Sequence, residues 1–374
     1  MLKIAMIAGP IAYTVALSNA LSRYCRIDLY CGRRYAGQED PSIFSGLAEN
    51  VTLILYEEYR KRDPRNVLAQ YKLCRMLRKG GYDLIHLQFE WEWAMLLFYP
   101  LIRKIPLVFT VHDPYQHPGY RHLLILYMDL LQAFFIGKAK RLVVHGSVMR
   151  RQLLERYPRV KPEKVLSHLI GDSSLRSRME SNATAGSEPS PDNIILFFGN
   201  VRPNKGVPYL AKAEPLIAAK LDNFRIHIVG RCADDSYKKL IVDRNRYVLS
   251  EEFLPHDQVA GIFFAASVVV LPYIDATQTA VIPLAYGYGR PVVATAVGGL
   301  VDMVEDGITG ILVEPRNEKA LADAICTILT DKELAGRMGR NAREFAKTRL
   351  SWESSAAATA DLYESVMAEE SGGR

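Results

Sequence analysis

The chain has 374 residues, 49% of them apolar and 24% charged, with 47 Lys and Arg against 41 Asp and Glu. This profile excludes a disordered or disulfide-stapled protein, and the length suffices for two ordinary domains. No apolar run reaches the ~18 residues that a membrane-spanning helix needs.

The N-terminal MLKIAMIAG runs straight into a strand and a turn, leaving no room for a signal sequence. The first half then alternates β-branched runs with longer amphipathic ones. Strands are expected at Lys3–Ala8, Ile27–Cys31, Val51–Tyr56, Asp83–Gln88, Leu107–Val111 and Arg141–Val144. Helices are expected at Ala12–Tyr24, Asn66–Lys79 and Arg121–Lys138. A polar, Ser-rich segment at 171–193 reads as a linker. The alternation restarts with strands at Asn193–Gly199, Arg225–Val229, Val268–Leu271, Pro291–Ala294 and Gly310–Val313. Helices Val207–Leu221 and Glu318–Thr330 lie between them. The pattern predicts an α/β chain of two tandem doubly wound domains, residues 1–170 and 194–350, with a last segment at 351–374. Such sheets bind ligands at the carboxyl ends of their strands, so the facing cleft is the expected site. The turns AGPIAYT and GNVRPNKG lack G-x-G-x-x-G spacing, which weakens a nicotinamide-enzyme reading.

Two bulk features bear on setting and partners. The five cysteines have neither paired nor zinc-like spacing, which fits a reducing cytoplasm. The net charge of +6 splits into +11 over residues 1–170 and −5 over residues 171–374. The basic half suits an anionic partner, although solvated helix faces would give the same count.

The chemistry concentrates at strand ends. In LFFGNVRPNKGVPYLAKA, Gly199 permits a tight turn, and Arg202 and Lys205 follow on the loop before a helix. Two cations there suit a diphosphate clamp, although two solvated loop cations would give the same pattern. His112 ends the strand PLVFTVHD and His86 ends DLIHLQ; a packed or capping role would suit either as well as a functional one. Gly9 would let the first turn approach a ligand, or is simply a turn glycine.

FFGNVRPNKG, VVVLPY and GRPVVATAVGGLVDMVEDGITGILVEPRNEKALADAI closely resemble the second domain of retaining GT-B glycosyltransferases, specifically the glycogen-synthase-like family 4. TVHD, VHGSVMRRQLLERYPRVKPEKV and the tail LSWESSAAATADLYESVM are similar to the same family. The resemblance implies a C-terminal helix that returns to the first domain. It implies a nucleotide-diphosphate sugar as co-substrate, with no other cofactor and no metal. In its terms Lys205, Arg202 and His112 are catalytic. Gly199, Asn200, Asp275, Thr277, Gln278 and Thr279 meet the donor, while Gly9, His86 and Gln88 lie on the acceptor side.

Three departures stand out. Asn200 occupies the place where the family's arginine usually follows the glycine, so Arg202 would have to act from two residues further on. The Glu-x7-Glu pattern is also missing: aligned on Gly289-Arg290-Pro291, its two positions hold Ala276 and Leu284, with Asp275 beside the first. The turn keeps its amides. Pro283 belongs in a helix's first turn, so the N–H groups of Thr277, Gln278 and Thr279 precede the helix and can cradle a phosphate or sugar hydroxyls. A plain N-cap by either Thr would use one or two of those donors.

The expected function is hexose transfer to a cell-envelope or polysaccharide acceptor, lipid-linked acceptors included. It carries peripheral contact with the cytoplasmic face of an anionic membrane rather than with nucleic acid. Arg60-Lys61-Arg62 and Arg78-Lys79 would lead that contact, beside Leu96 and Phe98. Two alternatives remain: a non-catalytic GT-B-like docking subunit and a GT-B-fold nucleotide-sugar epimerase.

Overall fold

The computed structural model describes residues 1–39, 41–59, 63–88, 94–115, 122–171, 193–251, 256–276 and 279–372, with backbone alone at 42, 122–124 and 256–258. The chain divides into two compact units, Met1–Ile170 with Trp352–Arg374, and Gly171–Ser351.

In the first unit, β1 (Leu2–Ile7), β2 (Cys25–Gly32), β3 (Val51–Tyr56), β4 (Leu84–Leu87), β5 (Leu107–Thr110), β6 (Arg141–His145) and β7 (Val165–His168) form one sheet, ordered 3-2-1-4-5-6-7. Every neighbouring pair is parallel. The central strands are buried on both faces, which is why they read as unbroken apolar runs. One core packs Leu73, Leu77, Met95, Phe109 and Phe135 together, and the other packs Ile4, Leu17, Leu29, Val108 and Val143.

The helix Trp352–Gly372 completes this second core. It turns Trp352, Ala356, Ala360, Tyr363 and Val366 inward and packs on the helix Ile11–Leu21. Small residues at 356 and 360 allow the close approach. At its far end Lys140 meets Glu370 at 2.6 Å, and Arg141 pairs with Glu369. Part of the basic excess of residues 1–170 is thereby neutralised by the tail.

In the second unit, β8 (Asn193–Phe198), β9 (Phe224–Val229), β10 (Tyr247–Ser250), β11 (Val268–Leu271), β12 (Val292–Thr295) and β13 (Gly310–Val313) form a parallel sheet ordered 10-9-8-11-12-13. The strand order reverses between β1 and β4 in one unit and between β8 and β11 in the other. A doubly wound sheet opens a crevice at such a point, above the carboxyl ends of the strands.

The structure adds two strands that the sequence pattern does not signal, β7 and β10. Both are four-residue strands at a sheet edge, and each has only one buried residue. Without burial on two faces there is no apolar run to read. Of the predicted linker at 171–193, residues 172–192 lie outside the described residues, and Asn193 already opens β8. Two predicted helices are also shorter than expected, ending at Leu21 and Ala218.

Candidate functional site

In the second unit, the loop of residues 199–206 leaves β8 at the reversal point. Gly199 donates to the Val229 carbonyl at 2.9 Å and lies against Val281, the first residue of the helix Val281–Gly287. Asn200 and Arg202 are exposed. The chain then tightens through Pro203–Lys205 and turns left-handed at Gly206, with φ 63°. A Cβ at Gly206 would collide with the Pro272 carbonyl, so the turn presses directly on the end of β11. Asn204 fastens the contact by accepting from the Ile274 amide at 2.8 Å.

This packing delivers Lys205 onto Tyr273, with its Nζ 3.7 Å from the ring centroid. Burial, with Arg202 as a second cause, pushes the Lys205 ammonium down to about 8. The ring face attracts the ammonium, by about 0.5–2 kcal/mol in general. Desolvation and the neighbouring guanidinium disfavour its charge. A diphosphate arriving here would relieve that conflict.

The loop after β11 is held from three sides. Thr295 Oγ1 donates to the Tyr273 carbonyl at 2.6 Å, Asn204 holds residues 274 and 275, and Gly298 lies directly on the Ala276 carbonyl. Asp275 is exposed on this loop. Thr277 and Gln278 lie outside the described residues. Thr279 Oγ1 accepts from the Val281 amide at 3.2 Å, so that amide is already engaged. The helix begins at Val281 with Pro283 in its first turn. Ala276 and Leu284, at the places of the missing glutamates, are both buried.

In the first unit, Gly9, His86, Gln88 and His112 gather at the ends of β1, β4 and β5. The Gln88 amide donates to the Ile7 carbonyl at 3.0 Å, and a Cβ at Gly9 would strike the Gln88 carbonyl. His86 is fully enclosed. Its Nδ1 is 2.5 Å from the Tyr363 hydroxyl, and its Nε2 is 2.8 Å from Thr110 Oγ1 and 3.2 Å from Gln88 Nε2. Both ring nitrogens are thus engaged within the unit. Burial holds His86 down to about 3 and, with His168 as a further cause, His112 down to about 4. Both are neutral imidazoles at pH 7. Tyr13 packs edge-on against His112 at 5.1 Å.

Tyr273 and Asn204 carry none of the sequence-based expectations. Tyr273 reads as the aromatic after a strand-ending proline, and only the fold brings Lys205 over its face. Asn204, inside PNKG, does carry a turn signal. Among the described residues, no group of three or more His, Cys, Asp or Glu side chains is placed to hold a metal ion. No described helix is long and apolar enough to cross a membrane.

Two family models match the chain: Glycosyltransferase Family 4 over residues 9–166 and Glycosyl transferases group 1 over residues 192–331. The chain is 29% identical over 322 residues to a D-inositol 3-phosphate glycosyltransferase of Corynebacterium glutamicum, covering 78% of this chain and 74% of that protein. It is 27% identical over 357 residues to the protein of that name from Corynebacterium efficiens, covering 87% and 82%. Among solved structures, sucrose-phosphate synthase of Thermosynechococcus elongatus superimposes with a TM-score of 0.70 at 21% identity, over 99% of this chain and 100% of that one. Anabaena HepE in complex with UDP gives 0.68 at 17% identity, over 98% and 100%. With both halves matched and the GT-B fold shared from end to end, the chain belongs to the group 1, family 4 glycosyltransferases.

Proposed function

We propose that this glycosyltransferase moves a hexose from a nucleotide-diphosphate sugar to a cell-envelope or polysaccharide acceptor, with retention at the anomeric carbon and without a metal ion. The observation that carries this reading is the half-buried Lys205 ammonium over Tyr273, at the strand-order reversal of the second unit. As the bond from the anomeric carbon to the diphosphate breaks, negative charge collects on the leaving phosphate. Stabilising that charge is the main demand of the step. Lys205 and Arg202 supply it, where a metal ion would otherwise be needed.

A thermal-shift screen tests donor binding, with UDP, GDP, ADP and their glucose and mannose conjugates as probes. A ligand at 100 times its Kd adds about 2.7 kcal/mol to the stability of the unit that binds it. For a unit of this size that corresponds to about 5–10 °C in Tm. No shift with any of them would overturn the donor reading. Turnover of the shifting donor, assayed with lipid-linked acceptors and with D-inositol 3-phosphate, separates an enzyme from a docking subunit and a membrane-borne acceptor from a soluble anionic one. Transfer should persist in excess EDTA; loss that magnesium restores would contradict the metal-free step.

Leu284 gives a second expected result. A buried leucine cannot accept from a ribose hydroxyl, and one such bond is worth about 0.5–3 kcal/mol. Ribo- and 2′-deoxyribonucleotide donors should therefore differ by less than about tenfold in kcat/KM. A difference of several hundredfold would place another group on the ribose.

The first unit carries the proposed membrane contact. The helices Arg65–Lys79, Ala94–Ile102 and His122–Lys138 adjoin through Tyr71 on Phe98 and Tyr99 on Phe134. Leu68, Leu97, Leu126 and Leu130 are more than half or half exposed on them, at 56, 57, 50 and 64%. Exposed Lys72, Arg75, Arg78, Lys79, Arg103 and Lys104 accompany them. Leu96 and Phe98 are half-buried, so Leu97 is the apolar contact on its helix; Arg60-Lys61-Arg62 lies outside the described residues. Each basic residue near an anionic surface contributes about 1 kcal/mol. Vesicles containing phosphatidylglycerol should bind the chain and release it as salt rises, and reversing the charge of Arg78 and Lys79 should weaken binding tenfold or more. Equal binding to neutral vesicles would count against this contact.

A further inference from the structure

Three histidines stand side by side across adjacent strands of the first unit. The register pairs Thr110 with Val143, which sets His112 opposite His145, and it pairs His145 with His168. His145 Nε2 lies 3.2 Å from His112 Nδ1. The His145 ring is only 2% exposed and meets the His168 ring at 5.3 Å. Tyr13 packs on both members of the pair, at 5.1 Å from His112 and 5.0 Å from His145, and is itself backed by Trp352 at 5.1 Å. His145 is therefore held by ring contacts from the side and from behind, and its Nε2 faces His112 Nδ1.

We propose that His145 is a positioning residue for His112, holding that imidazole in one orientation and one tautomer through the bond between Nε2 and Nδ1. The inference rests on the reading of His112 as the group that meets the donor sugar. Only one of the two facing nitrogens carries the proton, so the tautomers of the two rings are linked. The choice decides whether His112 presents an N–H or a lone pair at Nε2, and a sugar hydroxyl distinguishes the two. Burial keeps both rings neutral across the physiological range, which preserves the bond; protonating both would set two donors face to face. An apolar side chain at position 145 would remove the partner of His112 Nδ1 and leave only the Gln88 backbone and Tyr13 to hold the ring.

Imidazole 15N NMR on the full chain reads the bond without any substrate. His112 should show a single tautomer between pH 6 and 8, and a mixture of tautomers in His145→Leu; a mixture in the wild type would overturn the proposal. Donor turnover supplies the second readout, with UDP-glucose, GDP-mannose and ADP-glucose supplied in turn. His145→Leu should lower kcat 10- to 100-fold with the donor KM within threefold. His145→Gln, whose amide reaches the same place, should recover at least fivefold of that loss. In a His112→Ala background, His145→Leu should add less than a twofold effect. If His145→Gln is as impaired as His145→Leu, or the losses multiply in the double variant, the residue only packs and the proposal fails. Full activity in His112→Ala would overturn the underlying site reading. Full activity in His145→Leu beside an impaired His112→Ala would overturn this inference alone.

Discussion

Lys205→Ala is expected to lower transfer from the nucleotide sugar by about 10²–10³-fold, the usual effect of removing one preorganised group from developing charge. The side chain leaves a half-buried position over Tyr273 without unpairing a carboxylate, so folding should be little changed. Arg202→Ala should give a smaller loss, because that side chain is exposed on the same loop and is screened by solvent. The pH profile provides an independent check. Lys205 binds phosphate as an ammonium and loses its proton through about 8, so kcat/KM for the donor should fall as pH rises past that value. With donor bound, the diphosphate favours the charged form, so the decline in kcat should move to higher pH. An unchanged Lys205→Ala enzyme, or a flat kcat/KM from pH 7 to 9.5, would remove Lys205 from the chemistry.

The local layout of this candidate site was legible before the fold. Gly199, Lys205 and Gly206 fall where a strand, a turn and a helix follow each other closely, and that local order requires no tertiary information. The α/β alternation was equally clear wherever strands are buried on two faces, as in β4, β5 and β11. What stayed hidden has a common physical cause: it depends on residues far apart in sequence. Tyr273 matters because of Lys205, 68 positions earlier, and His86 is enclosed because Tyr363 arrives on the last helix. The edge strands β7 and β10 were hidden for the complementary reason that each buries only one residue fully and so presents no apolar run. The charge split misled in one respect. Lys140 and Arg141 count toward the basic first half, yet Glu370 and Glu369 answer them from the far end of the chain.

The same enclosed histidines should make the first unit acid-labile while the second persists. His86, His112, His145 and His168 are all held below the ordinary histidine value, chiefly by burial. In the unfolded chain each titrates near 6.5, so from there down to the folded values the unfolded state binds more protons. Stability from these groups is therefore complete above about pH 6.5 and is lost as pH falls toward 4. Each imidazole that stays neutral contributes a slope of about 1.4 kcal/mol per pH unit. Between pH 6.5 and 4.5 a single one withdraws about 2–3 kcal/mol, and several together rival the roughly 5–15 kcal/mol that holds a domain folded. Among the described residues of the second unit, His227 alone has a lowered histidine value, and it is only half-buried. The chain's three tryptophans, at 91, 93 and 352, all belong to the first unit, so their fluorescence follows that unit while far-ultraviolet circular dichroism follows both. On acidification the fluorescence transition should come first, between about pH 5.5 and 4.5, with ordered dichroism remaining. His86→Gln should flatten the pH dependence of the first unit by about one imidazole's slope, whatever it does to stability at pH 7.5. Coincident transitions by the two probes, or a slope unaltered in His86→Gln, would mean that the buried imidazoles do not govern the acid stability of the first unit.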